Sequence, residues 1–252
     1  MSLDPSSIPK ACAKIQMVGC ALLLSLLLLP LAAFAGDSDP PSAVRPTNVY
    51  VAVSTNKIGA IKETEGQFGF DFYFYFTWRD DRRNATNEKF SQESHFFPSP
   101  ELMNKASGEE IKYDCSCTNE GPPKYALESI PAAEQSGTWC YCISRPQVTL
   151  DAELLLKAFP WDAQSADIII ESKKWQNNTL LWVSVNSSVP GLYPPGGASG
   201  VPGWNISATG VTNYIQPYPS LKEYYSALKL SLRLVRIPDY YITRYVWGVM
   251  FL

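Results

Sequence analysis

The chain has 252 residues, of which 46% are hydrophobic, 13% aromatic and 18% charged, with a net charge of -3. An acidic balance of this kind excludes a general nucleic-acid binder, because nothing offsets phosphate repulsion. Twenty prolines and many β-branched residues favour strands and turns over long helices.

Lys10 and Lys14 precede an almost unbroken apolar run from Val18 to Leu29, and Ala33-Phe34-Ala35 follows at the spacing a signal peptidase reads. The run is too short for a membrane-spanning helix, which needs about 20 residues. Residues 1–35 therefore read as a signal peptide, and its removal shifts the net charge to -4. Residues 36–46, rich in Pro, Ser and Asp, read as a linker. The domain proper spans 47–238.

Strands follow in order. Val49, Val51 and Val53 alternate with Tyr50 and Ala52. Phe68, Phe70, Phe72, Phe74, Phe76 and Trp78 share one face of the clearest strand, with Gly69, Asp71, Tyr73, Tyr75 and Thr77 on the other. Further strands are predicted over 143–150, 166–171, 180–185, 206–215 and 227–236. Leu181, Val183 and Val185 alternate in one of them, and Leu228, Leu230, Leu232 and Leu234 in another. Residues 151–158 fit a helical turn or a strand equally. Many short strands divided by turn signals predict an all-β antiparallel sandwich.

Export sets an oxidising compartment for Cys115, Cys117, Cys140 and Cys142. In one antiparallel register Cys115 lies opposite Cys142 and Cys117 opposite Cys140, which predicts two disulfides. A four-thiolate zinc site is the alternative. Sequons stand at Asn84, Asn177, Asn186 and Asn205. Asn205, beside Trp204, is expected to be the least exposed, so Asn84, Asn177 and Asn186 are the expected glycosylation sites. Catalysis finds little support: His95 is the only histidine, no Gly-rich phosphate loop follows a strand, and no cofactor or metal site is indicated beyond the cysteines.

The motifs resemble the extracellular ligand-binding domain of pentameric ligand-gated ion channels, the Cys-loop receptor superfamily. Phe159-Pro160-Trp161-Asp162-Ala163-Gln164 looks like the family's FPFDxQ signature, and Trp78, Asp80 and Arg82 look like its W-x-D-x-R motif. Residues 98–104, PSPELMN, resemble the segment leading into ligand loop A, with Phe96 where tryptophan is usual. Gly203-Trp204 resembles the start of the ninth strand. Arg236-Ile237-Pro238-Asp239-Tyr240-Tyr241 resembles the junction into the first transmembrane helix. Ala152 and Ala166 occupy the positions of the signature cysteines, as in bacterial-like forms.

The resemblance implies a twisted, immunoglobulin-like sandwich of about ten strands in a homo- or hetero-pentamer. Residues 239–252 would begin the first transmembrane helix, cut short. A small ligand, such as a cationic amine, would bind between subunits among Tyr73, Trp175, Tyr218, Tyr224 and Tyr225. Phe159, Pro160, Trp161 and Asp162 would press on a membrane domain, with Arg236 pairing with acidic groups there, and the loop's rigidity would come from Pro160 and the packing of Phe159 and Trp161. Trp78 and Asp80 fit core packing and a satisfied turn carboxylate. The location implied is the plasma membrane with the domain outside. A secreted pentameric binding protein without a pore is the alternative if the chain ends at Leu252, and a carbohydrate-binding sandwich is a third reading.

Overall fold

The computed structural model describes residues 38–41, 46–83, 90–185 and 201–246, without the side chains of 208, 209, 245 and 246. The predicted signal peptide, Asn84 and Asn186 lie outside them.

Among the described residues, eleven strands form two packed sheets. The larger has seven: β1 (Thr47–Lys62), β2 (Gln67–Arg79), β4 (Lys105–Gly108), β5 (Asp114–Thr118), β6 (Trp139–Ser144), β7 (Gln147–Asp151) and β9 (Leu180–Ser184). The smaller runs in the order β10 (Trp204–Tyr218), β11 (Glu223–Arg236), β8 (Ala163–Ser172) and β3 (Pro100–Leu102). The all-β sandwich expected from periodicity is the observed architecture.

The core lies between the sheets. The even-numbered aromatics of β2, from Phe68 to Trp78, are all buried, and they face Leu228, Leu230, Leu232 and Leu234 of β11 together with Ile168 and Ile170 of β8. Each such side chain contributes about 1.5–3 kcal/mol by leaving water. β1 keeps its inward phase through a bulge. Val49, Val51, Val53 and Thr55 face inward, Asn56 is then skipped in the ladder with β2, and the inward position passes to Ile58. Beyond it, Gly59 and Gly69 cross so closely that a β-carbon on Gly59 would sit 3.2 Å from the Gly69 α-carbon.

Three strand expectations are corrected. The strand predicted over 143–150 is two, because Pro146 cannot donate to a ladder. β6 pairs with the second half of β2 and β7 with the first. The sandwich is not wholly antiparallel, since β9 runs parallel to β1. The chain reaches β9 by crossing from the smaller sheet after β8, so no hairpin reverses it. The phase of β9 is also inverted. Leu180 and Trp182 fill the main core, whereas Val183 and Val185 join Tyr50, Ala126, Ile130 and Trp139 in a second cluster on the outer side. The long β5–β6 connection covers that side, so both faces of β9 have apolar neighbours. Residues 151–158 combine the end of β7 with a 3-10 turn, Leu156–Ala158.

Both disulfides form, Cys115–Cys142 and Cys117–Cys140, at paired positions of β5 and β6. This excludes the zinc alternative. After β11 a four-residue helix, Pro238–Tyr241, leads into a π-helical segment, Ile242–Val246. Among the described residues no helix is long and apolar enough to cross a membrane.

Candidate functional site

The residues singled out from the sequence gather in three places. The first is the outer face of the smaller sheet, at the β10–β11 hairpin. Alternation along β11 sends Leu228 inward and Tyr225 and Glu223 outward, and the register places Gln216 and Tyr218 of β10 beside them. The Tyr218 hydroxyl donates to Glu171 Oε2 at 3.0 Å, and the Tyr225 hydroxyl donates to Glu223 Oε2 at 3.1 Å. The two rings meet edge to face at 5.6 Å. Glu171 is 3% exposed, and its neighbour across the β3–β8 ladder is Glu101.

Burial raises the Glu171 pKa above the usual glutamate range. The Tyr218 hydrogen bond acts against this, and the nearby Glu101 charge adds to it. Burial, with the bond to Glu171, pushes the Tyr218 phenol up to about 12. Two tyrosine faces and a shielded carboxylate can hold an organic cation, by ring attraction of roughly 0.5–2 kcal/mol each and by charge. Tyr224 belongs to the same hairpin but points to its other face and is half exposed. Its carbonyl accepts from the Asn177 amide at 2.8 Å. Glu171 is absent from the sequence-derived site, although Ile168 and Ile170 fix the phase of β8 and so put an acid on the outer face.

The second place is the outer face of the larger sheet. Tyr73 stacks on Tyr75 at 6.1 Å, and Arg145 lies 5.3 Å from the Tyr73 ring centroid. Arg145 donates twice to Asp71, at 3.0 and 2.9 Å. Hydrogen bonding to Arg145, helped by Asn56, holds the Asp71 carboxyl below its usual range against a smaller opposing effect of burial. Within one chain Tyr73 and the Tyr218–Tyr225 pair lie on different sheets.

Trp175 belongs to neither group. Its indole Nε1 donates to the Phe97 carbonyl at 2.8 Å, its ring lies 5.5 Å from that of Phe96, and the Lys174 ammonium sits 4.2 Å above it. Its polar edge and one face are thus engaged by the chain itself.

The third place is the opposite end of β11. The Arg236 side chain is fully buried, and it donates to Asp162 Oδ1 at 2.5 Å, Asp162 Oδ2 at 3.1 Å and Glu63 Oε1 at 2.7 Å. Its guanidinium also lies 4.1 Å from the Trp204 ring centroid, 4.7 Å from that of Phe159 and 4.8 Å from that of Tyr241. One cation thereby joins the β1–β2 turn, the 152–162 loop and the helical C-terminal segment. Gly203 makes room for this, since a β-carbon there would meet Tyr240 and Tyr241 at 2.9 Å.

The expectation for the rigidity of the 152–162 loop is corrected. Trp161 is 70% exposed, so its packing does not hold the loop, whereas Phe159, 47% exposed, keeps its ring against Arg236 and Tyr241. Gln164 adds a polar tie. Its Nε2 donates to the Leu155 carbonyl at 2.6 Å and to Asp162 Oδ2 at 2.5 Å, while its Oε1 accepts from the Leu155 amide at 2.8 Å. This amide bridge crosses the 152–162 loop.

Trp78, Asp80 and Arg82 form a structural turn. Trp78 is buried among Phe76, Phe90 and Phe96. Asp80, 1% exposed, accepts from Arg82 at 2.8 and 2.9 Å. His95 sits in a loop with Nδ1 beside Ser91 and Ser94. Asn177 is partly exposed. Asn205 contradicts its expectation: Trp204 is buried and Asn205 is exposed, because adjacent strand residues face opposite ways.

No family model matches the chain, and no curated protein matches it in sequence.

Proposed function

We propose that this chain is the extracellular ligand-binding domain of a pentameric ligand-gated ion channel. The observation that carries the reading is that β11 runs unbroken from Tyr225 in the tyrosine–carboxylate cluster to Arg236 in the buried ion cluster. The eleven steps from Tyr225 to Arg236 span roughly 36 Å of strand. A ligand at one end can therefore act on the other through a single rigid element.

A small amine binds against Tyr218, Tyr225 and Glu171 of one subunit, with Tyr73 of the next completing the site. Rings attract the ammonium face-on, and Glu171 accepts its N–H groups. Binding closes the hairpin and favours one of two pentamer states by the difference in affinity. The shift reaches the 152–162 loop through Arg236, and exposed Trp161 and Phe159 pass it to the membrane domain. This reading places the domain outside the plasma membrane.

The test is binding combined with assembly. The chain purified from a secretory host is titrated calorimetrically with a panel of primary amines, and its mass in solution is measured. Binding by a pentamer that weakens about tenfold or more in Glu171→Gln supports the reading. A monomer that binds none of the panel overturns it.

A further inference from the structure

We infer that Asn205 carries an N-linked glycan, and that this part of the smaller sheet therefore faces outward in any assembly. Asn205-Ile206-Ser207 supplies the acceptor sequence. The structure supplies what the sequence could not, namely the direction of each of the three side chains. In β10, Trp204 and Ile206 point into the core, while Asn205 and Ser207 are both exposed. The acceptor amide and the hydroxyl that the transferase reads thus lie on the same open face.

Among the described residues β10 is the edge strand of its sheet, with no strand paired beyond it. The register gives the rest of the surroundings. Asn205 lies beside Val235, which lies beside Ala163. Ser207 lies beside Arg233, which lies beside Ser165. Ala163, Ser165 and Arg233 are exposed. Val235, Ala163 and Ser165 are short, so beside Asn205 the surface is low and only the exposed, flexible Arg233 side chain rises next to Ser207. The Asn177 acceptor, by comparison, is half covered, and its backbone amide is bonded to the Tyr224 carbonyl.

The linkage forms when the Asn205 side-chain nitrogen bonds to the anomeric carbon of a lipid-linked oligosaccharide as that carbon's bond to the diphosphate breaks, and the lipid diphosphate leaves with the electron pair. The nitrogen gives up one proton. A branched sugar then occupies the space above Val235 and Ala163, and a neighbouring subunit cannot pack there. The inference rests on export of the chain and not on the ligand it binds.

The full chain is expressed in a eukaryotic secretory host and digested, and its peptides are analysed by mass spectrometry with and without an amidase that releases N-glycans. The expected result is a peptide containing Asn205 that bears N-acetylglucosamine, with Asn205 converted to aspartate on release. Asn205→Gln and Ser207→Ala each remove one glycan step on a denaturing gel, and Ser207→Thr keeps it. An unmodified Asn205 in folded secreted protein overturns the inference, as does an assembly interface mapped onto Val235 and Ala163 by cross-linking.

Discussion

Asp162 and Arg236 form a two-point ion pair inside the protein, with both side chains almost wholly shielded from water. The aspartate of the aromatic loop therefore does not reach outward to a membrane partner. It closes the loop onto the last strand, and Glu63 holds the remaining side of the guanidinium. The loop instead exposes Leu155, Leu156, Phe159 and Trp161, with Lys157 among them.

Asp162→Ala is predicted to destabilise the domain by about 3–5 kcal/mol, since it leaves a buried cation with one partner fewer. Asp162→Ala combined with Arg236→Met is predicted to recover much of that loss, because the uncompensated charge is gone. Urea unfolding of the three proteins checks both. Equal loss in the single and double variants would mean that the pair is not coupled.

The two buried acids are predicted to respond oppositely to pH. Burial alone would raise the pKa of Asp162, but its hydrogen bonds from Arg236 and Gln164 more than offset this and hold it below the ordinary 3.8. Its contribution to stability is thus present above 3.8 and is lost as pH falls through the folded value. Glu171 is raised above 4.5. Its contribution is present below 4.5 and lost as pH rises through the folded value. Glu171→Gln should therefore gain stability relative to the parent on going from mildly acidic to neutral pH. Asp162→Asn should flatten the acid limb of the parent's stability curve. Unfolding free energies measured across that range decide the matter.

Glu171→Gln should also weaken amine binding by about tenfold to a hundredfold, the worth of a hydrogen bond to a charged group at roughly 1.5–3 kcal/mol. In the parent, affinity should fall as pH drops through the raised Glu171 value, because the protonated acid carries no charge. Titration calorimetry at several pH values reads both effects. An unchanged affinity in the variant would remove Glu171 from the site.

Trp175→Phe provides a contrast. It removes the bond to the Phe97 carbonyl and should cost about 1 kcal/mol of stability. The same change should leave amine affinity untouched, which comparison of melting and binding curves will reveal.

The two disulfides should act non-additively. They close nearly the same loop, with separations of 27 and 23 residues. Once one is made, the second restricts the unfolded chain little further. Replacing either pair by serine should cost little, and replacing both should cost roughly 3 kcal/mol, as read by thermal unfolding.

The sequence by itself determined the layers of the sandwich. The period-two rows from Phe68 to Trp78 and from Leu228 to Leu234 bury one face of each strand, and such a pattern has one satisfactory arrangement. It also pointed to the cysteine pairing, because the two C-x-C runs fit one register, while the choice between disulfides and a zinc site was made by the fold. Only the tertiary structure decided the rest. Asp162, Glu63 and Arg236 are distant in the chain and meet because β11 carries Arg236 back to the loop, a relationship no local pattern encodes. The outward turn of Asn205 was hidden because its neighbour Trp204 is buried and adjacent strand residues face opposite sides. Trp175 looked available in the sequence, yet its indole is committed to Phe97 from the β2–β3 loop. Periodicity reports which face is apolar, but a site depends on which distant faces are brought together.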